Sequence, residues 1–264
     1  MVPLTPDDTR ICIEDQFRAF WPRFGRSPSM QFHEEPGLLR WFADAPVPMF
    51  NGVFSQSLSN PEASIAEHLA FFRAHEAPMI WCVGTGADHG DMAKLLGLEG
   101  LAWASQLAGM ARELGDLTAP RETVALRIER PSRVEELTAW TDPFVASFDF
   151  PADGCEFLIE YMGGIRFGPG CDVRHYVGYN EDLAVSCATL VLGDGVAGLY
   201  NVGTLPTHRG KGFATALTLS ALLDARAEGM RLGVLHASSQ GGRLYRSLGF
   251  QEYCRIPMYI WAGG

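Results

Sequence analysis

No apolar run among the 264 residues approaches the roughly 20 needed for a membrane-spanning helix. Nor is there a basic stripe. The formal net charge is -10 and the pI about 5.1, the reverse of the electrostatic footprint that nucleic-acid binding requires. The six cysteines (Cys12, Cys82, Cys155, Cys171, Cys187 and Cys254) form no C-x-x-C pair, and no Cys/His cluster has zinc spacing. Met1 to Arg10 hold no basic stretch followed by an apolar run, so no signal peptide is expected. These absences predict a cytoplasmic protein with reduced, mostly buried thiols, no metal, no nucleic-acid partner and no membrane.

What is present is a globular composition, 47% hydrophobic and 20% charged. The length suits one large domain or two moderate ones. Leu117 to Thr123, with Thr118-Ala119-Pro120, reads as a boundary, and the expected domains are 1–120 and 121–264. Beyond it, Thr123 to Glu129 alternates as a strand, and helices are expected near Arg133 to Ser147 and Gly154 to Gly163. Strands follow at Val173 to Tyr179, Ala184 to Leu192 and Val196 to Leu205. The last two are joined by the turn Gly193-Asp194-Gly195. Phe213, Ala216, Leu219, Leu223 and Ala227 fall on one face of a helix from Gly212 to Glu228, closed by Gly229. A strand at Leu232 to Ala237, a helix at Gly242 to Leu248 and a strand at Tyr253 to Trp261 complete the half. This order implies an α/β (α+β) fold with a mixed, mainly antiparallel sheet flanked by helices.

The first half repeats part of that order. Met49 to Leu58, Pro78 to Gly84 and a stretch within Leu101 to Leu114 read as strands. Pro61 to His75 and Asp88 to Leu96 read as helices. The repetition suggests an internal duplication.

The segment Asn201-Val202-Gly203-Thr204-Leu205-Pro206-Thr207-His208-Arg209-Gly210-Lys211-Gly212-Phe213-Ala214-Thr215 carries the chemistry. A strand ends, a glycine-bearing loop follows and a helix begins. The first turn of a helix offers unpaired N–H groups and a partial positive charge. Glycines let those amides approach a ligand, which makes an anion site suited to a pyrophosphate. Arg209 and Lys211 add charge. The G-x-x-x-x-G-K-S/T spacing of a nucleotide-triphosphate loop is absent.

The segment resembles the signature of the GNAT superfamily of N-acetyltransferases, Q/R-x-x-G-x-G/A, here Arg209 to Ala214. Leu244-Tyr245-Arg246-Ser247-Leu248-Gly249-Phe250 is similar to the family's closing L-Y-x-x-L-G-F stretch. The likeness covers roughly Thr123 to Trp261. It implies direct acetyl transfer from acetyl-CoA to a primary amine of a small molecule, with no metal. By the same resemblance, Val202, Gly203 and Thr204 lie on a splayed strand that pairs with the pantetheine arm. Arg209, Gly210, Lys211, Gly212, Phe213, Ala214 and Thr215 surround the pyrophosphate, and Tyr245 protonates the departing thiolate. A phenol of pKa near 10 is chemically suited to that step.

The sequence departs from the family pattern twice. Where relatives carry an asparagine before the tyrosine, this chain reads Ala237-Ser238-Ser239-Gln240, leaving Ser239 as a smaller substitute. The strand Val196 to Leu205 contains no acidic residue to act as base. Glu156, Glu160, His175 and His236 are the candidates, with a water chain as the alternative. Acetylation of a peptide N-terminus and non-catalytic acyl-CoA sensing remain rival readings.

Gly84-Thr85-Gly86-Ala87-Asp88-His89-Gly90 has its third glycine one position late for a dinucleotide fingerprint, and reads as a loop with Asp88 as a cap. His33-Glu34-Glu35 lacks the second histidine of a zinc helix. If the halves are related, Ser55 to Ser64 in the first has lost the phosphate loop. It holds no glycine or basic residue, and Glu62 would repel a phosphate. One cofactor site per chain is expected, with the first half completing the sheet, walling the cleft or making a homodimer contact.

Overall fold

A computed structural model describes residues 4–24, 30–118, 124–148, 150, 155–168 and 170–263. Most of the expected boundary at Leu117 to Thr123, including the 120/121 division, lies outside these residues, as does Gly154. The chain begins with α1 (Pro6–Phe24), β1 (Gln31–Glu35), β2 (Leu38–Phe42), β3 (Asn51–Ser55), α2 (Pro61–Ala74), β4 (Met79–Val83), α3 (His89–Leu98) and β5 (Ala102–Glu113). It continues with β6 (Arg127–Glu129), α4 (Thr138–Ser147), α5 (Cys155–Gly163), β7 (Val173–Asn180), β8 (Leu183–Gly193), β9 (Val196–Thr204) and α6 (Phe213–Ala227). It closes with β10 (Leu232–Ala237), α7 (Gly242–Ser247) and β11 (Gln251–Trp261). Two compact units result. The first is Met1–Met110 with Ala237–Gly242 and Glu252–Gly264, and the second is Ala111–His236 with Arg243–Gln251.

In the first unit the strand order is β1-β2-β3-β4-β11-β5. Pairing is antiparallel from β1 to β3, parallel between β3 and β4, and antiparallel between β4 and β11. On α2, Ile65, His68, Leu69 and Phe72 recur at helical spacing and are buried together. Ile65, Leu69 and Phe72 share a core with Leu38, Val53, Met79 and Trp81 from the sheet, and each such apolar side chain contributes about 1.5–3 kcal/mol of burial. Trp21 of α1 stacks on Trp41 of β2 with centroids 4.3 Å apart. Asp88 caps α3, accepting from the Gly90 and Asp91 amides, as its place before the helix predicts.

In the second unit the order is β10-β9-β8-β7-β6, parallel between β10 and β9 and antiparallel elsewhere. Successive side chains of a strand point to opposite faces. His175 of β7 meets the Trp140 ring of α4, while the adjacent Tyr176 donates to Asp224 of α6. The two helices therefore cover opposite faces of this sheet. Asp194 and Gly195 take φ of +52° and +77° in the β8–β9 turn, as a tight primed hairpin requires. The expected strand Thr123 to Glu129 shortens to β6. The expected helix Arg133 to Ser147 opens with a 3-10 turn at Val134–Glu136 before α4.

Four helices end alike. Gly249 has φ +84°, its amide reaches the Arg246 carbonyl, and the Phe250 amide reaches the Tyr245 carbonyl. The same paired bonds close α6 at Gly229, α3 at Gly100 and α2 at Glu76. A left-handed residue is needed there so that the chain can turn back to satisfy the last carbonyls. The joints α2–β4 and α3–β5 thus match α6–β10 and α7–β11 in order and in chemistry.

Candidate active site

The site is built on β9. Its register with β8 runs Leu190↔Leu199 and Thr189↔Tyr200, then resumes at Cys187↔Gly203 and Ser186↔Thr204. Two steps along β8 match three along β9, so β9 carries one extra residue, a bulge at Asn201–Val202. Asn201 sits at φ +54°, a conformation Asn tolerates better than most residues. The displaced carbonyls find side chains instead: Cys187 Sγ donates to Asn201 O at 3.3 Å, and Ser186 Oγ to Gly203 O at 2.7 Å. Gly203 is required here, because a Cβ would stand 2.8 Å from Ser147 Oγ and 3.1 Å from Cys187 Sγ.

On its other side, β9 pairs with β10 only over Val196–Leu199 against Leu232–Leu235. Both strands run on beyond that ladder, to Thr204 and Ala237. The strands part where Tyr200 and His236 stack, their centroids 5.9 Å apart. The opening is bordered by Tyr200 to Thr204. Val202 and Thr204 are half-buried there, and Gly203 is buried.

At the end of β9 a 3-10 turn, Pro206–His208, leads into the glycine loop. Gly210 and Gly212 have φ of +77° and +81°, so both positions need glycine. Gly212 is the N-cap of α6, and no side chain caps that end. The first-turn amides of Phe213, Ala214 and Thr215 are left to a ligand or water. Arg209 and Lys211 are exposed, and Arg209 Nε donates to Thr204 O at 3.2 Å. The Phe213 side chain is buried, so it offers the site its backbone rather than its ring. This combination of an uncapped 15-residue helix, two left-handed glycines and two cations fits a pyrophosphate.

Tyr245 lies on α7, buried, with its ring edge-on to Phe250 at 6.0 Å. Burial pushes its phenol above the ordinary value, so it stays protonated at neutral pH. Ser239 is exposed in the turn after β10, among the residues grouped with the first unit. Of the candidate bases, His175 is fully buried, and desolvation pushes it down to about 3. It is a neutral ring bonded to Thr189 Oγ1 at 3.0 Å. Glu160 is exposed on α5, and the Glu156 side chain lies outside the described residues. His236 borders the opening through its stack on Tyr200.

The counterpart in the first unit is closed. The β3–β4 ladder runs Gly52–Ser55 against Ile80–Val83, to the end of β3. The backbone then seals it, with Gln56 N donating to Gly37 O and Gly84 N to Ser55 O, both at 2.7 Å. α2 starts at Pro61, and its N-cap Asn60 accepts from the Ala63 amide.

Residues 171–252 match the family described as the acetyltransferase (GNAT) domain. Residues 171–252 of this chain carry a GNAT domain. A mycothiol acetyltransferase of Thermomonospora curvata is 32% identical over 184 residues, 65% of this chain and 61% of that protein. Another, of Thermobispora bispora, is 33% identical over 194 residues, 65% of this chain and 63% of its own. The chain thus spans a little over three fifths of these relatives. Among solved structures, a GCN5-related N-acetyltransferase from Kribbella flavida superposes with a TM-score of 0.71 at 20% identity, covering 97% of this chain and 96% of its own. A tandem GNAT protein from the clavulanic acid biosynthesis pathway gives 0.58 at 15%, covering 97% and 88%. At these identities the likeness shows the GNAT fold, mixed α/β with a mostly antiparallel sheet. No described helix is long and apolar enough to cross a membrane.

Proposed function

We propose that the chain is an acetyl-CoA-dependent N-acetyltransferase acting on a primary amine of a small molecule. The observation that carries this is the parting of β9 from β10 beside a bulge, leading directly into an uncapped, glycine-built helix start. Val202, Gly203 and Thr204 offer backbone groups along the opening. The amides from Gly210 to Thr215, with Arg209 and Lys211, hold the pyrophosphate. When bound, acetyl-CoA supplies an acetyl group activated as a thioester. Tyr245 holds a proton for the departing thiolate. His236 or ordered water takes the proton from the attacking ammonium. In this reading the backbone N–H groups near Thr204 would polarise the thioester carbonyl.

The catalytic assignment rests on residues 121–264, and residues 1–120 form a degenerate GNAT-like or accessory domain without a cofactor site. Both curated relatives are named for mycothiol acetylation, so mycothiol-related amines come first on an acceptor panel.

Calorimetric titration of acetyl-CoA tests the reading. Wild type binds one equivalent per chain. Gly212→Glu, which places a carboxylate against the pyrophosphate, loses binding, and the exposed Lys211→Glu weakens it about tenfold while keeping the wild-type circular dichroism. Absence of binding to wild type overturns the proposal. Binding without turnover across a broad amine panel favours an acyl-CoA sensor.

A further inference from the structure

His33 and Glu35 alternate along β1, so their side chains share a face. α2 brings His68 to that same face. The donor atoms of the three residues all lie within 4.8 Å of one another. His68 Nε2 stands 3.3 Å from Glu35 Oε1, and His33 Nε2 stands 3.9 Å from Glu35 Oε2. His33 Nε2 is a buried nitrogen with no hydrogen-bond partner, and it faces Glu35.

We infer that His33, Glu35 and His68 form a site for a zinc-class divalent cation, which clips the edge strand β1 to helix α2. The donor set suits it. Two imidazoles and a carboxylate at bond lengths of about 2.0–2.2 Å form a tetrahedron whose edges are roughly 3.3–3.5 Å. The His68–Glu35 separation already equals such an edge, and His33 closes the remainder by a side-chain adjustment. The side chains of His33 and Glu35 are 42% and 39% exposed, free to move and open to a water as fourth ligand. His68 is fully buried and supplies the fixed point. Imidazole with carboxylate favours zinc, cobalt or nickel over magnesium or calcium.

Arg40 controls access. It lies opposite His33 in the β1–β2 ladder, with its guanidinium 3.8 Å over the Phe71 ring. Its Nη1 donates to His68 Nδ1 at 3.1 Å. Arginine only donates, so in the metal-free ring the proton sits on Nε2, facing Glu35. Metal on Nε2 needs that proton on Nδ1, where a ligating histidine ordinarily donates to an acceptor. Binding therefore turns Arg40 away from His68, towards Glu67, which also attracts it. Arg40 is the cation that holds the metal-free site together.

The test is titration of the full chain with cobalt(II), read by its visible ligand-field bands, followed by zinc competition. One equivalent should give the intense bands of a tetrahedral site, and zinc should abolish them. His33→Ala and Glu35→Gln, both on an exposed edge, should each lose at least tenfold in affinity. Arg40→Gln should gain several-fold, an effect that non-specific surface binding would not produce. Zinc should raise the unfolding midpoint of wild type but not of Glu35→Gln. Absence of saturable cobalt bands, or bands unchanged in His33→Ala, overturns the site.

Discussion

At the scale of single residues, the legible part of the site is the part encoded locally. Arg209, Gly210 and Gly212 read from the sequence because a helix start and its two glycines fall within a few adjacent positions. Asn201 did not, although a residue poorly suited to strands in the middle of Val196 to Thr204 was the available signal. A bulge is a mismatch of register between two strands, and one strand's sequence does not contain the other's. For the same reason Ser186 and Cys187, which take up the carbonyls left by the bulge, carried no mark. The His33, Glu35 and His68 cluster joins donors 33 positions apart in sequence, beyond any spacing rule. Under the proposed function Tyr245 has two jobs that one substitution separates. Its ring makes the aromatic contact with Phe250 that accompanies this kind of helix end, while its hydroxyl is assigned the proton. Tyr245→Phe keeps the ring. It should lower kcat by roughly 10²-fold or more, with the urea midpoint and the Kd for acetyl-CoA near wild type. A kcat within a factor of two would leave Tyr245 as a packing residue only.

At the scale of elements, the second half was read to within a residue or two from β7 onward because turns and glycines punctuate it. The first 42 residues yielded no elements. β1 is Gln-Phe-His-Glu-Glu, mostly polar, because it is an edge strand with one face towards solvent. β2 is Leu-Leu-Arg-Trp-Phe, an apolar run that fits a buried strand or a helix equally. The one local clue was Gly37, at φ +77° in the turn between them. The helix ends make a quantitative prediction. Gly249→Ala must hold alanine at φ +84°, which should cost about 1 kcal/mol. Urea denaturation followed by far-UV circular dichroism measures it. Gly97→Ala, in the last turn of α3 with nothing near its Cβ, should instead stabilise or be neutral.

At the scale of the molecule, the alternation of elements made the fold class legible, and the matching helix–strand joints explain why the two halves read alike. What stayed hidden was how the units divide the strands, since sequence order does not say which sheet a strand joins. One pH dependence follows for the whole chain. His175 is held at about 3 by burial, against about 6.5 unfolded. It faces Trp140 from α4 and the Phe167 ring, with Thr189 beside it on β8. Arg130, Arg174 and Glu228 line the adjoining cavity of about 150 Å³. Between those two pKa values the unfolded chain binds the extra proton, so stability falls as pH drops from about 6.5 towards 3. His175→Gln should flatten that acid limb in urea midpoints measured from pH 7 to pH 4. A limb of unchanged slope would assign the loss to other groups.

The place of β11 has a consequence for how the protein is made. In the first unit it fills the slot between β4 and β5, yet it is translated some 140 residues after β5 ends. The ribosome therefore delivers the last piece of the first-made unit only after the whole second unit has emerged. During that interval β4 and β5 face an open gap, with backbone groups ready to pair with any other extended chain. A nascent chain of this kind cannot bank its first half before starting the second. Its yield in the cell should depend on chaperones that shelter exposed strand edges until residue 261 has left the tunnel.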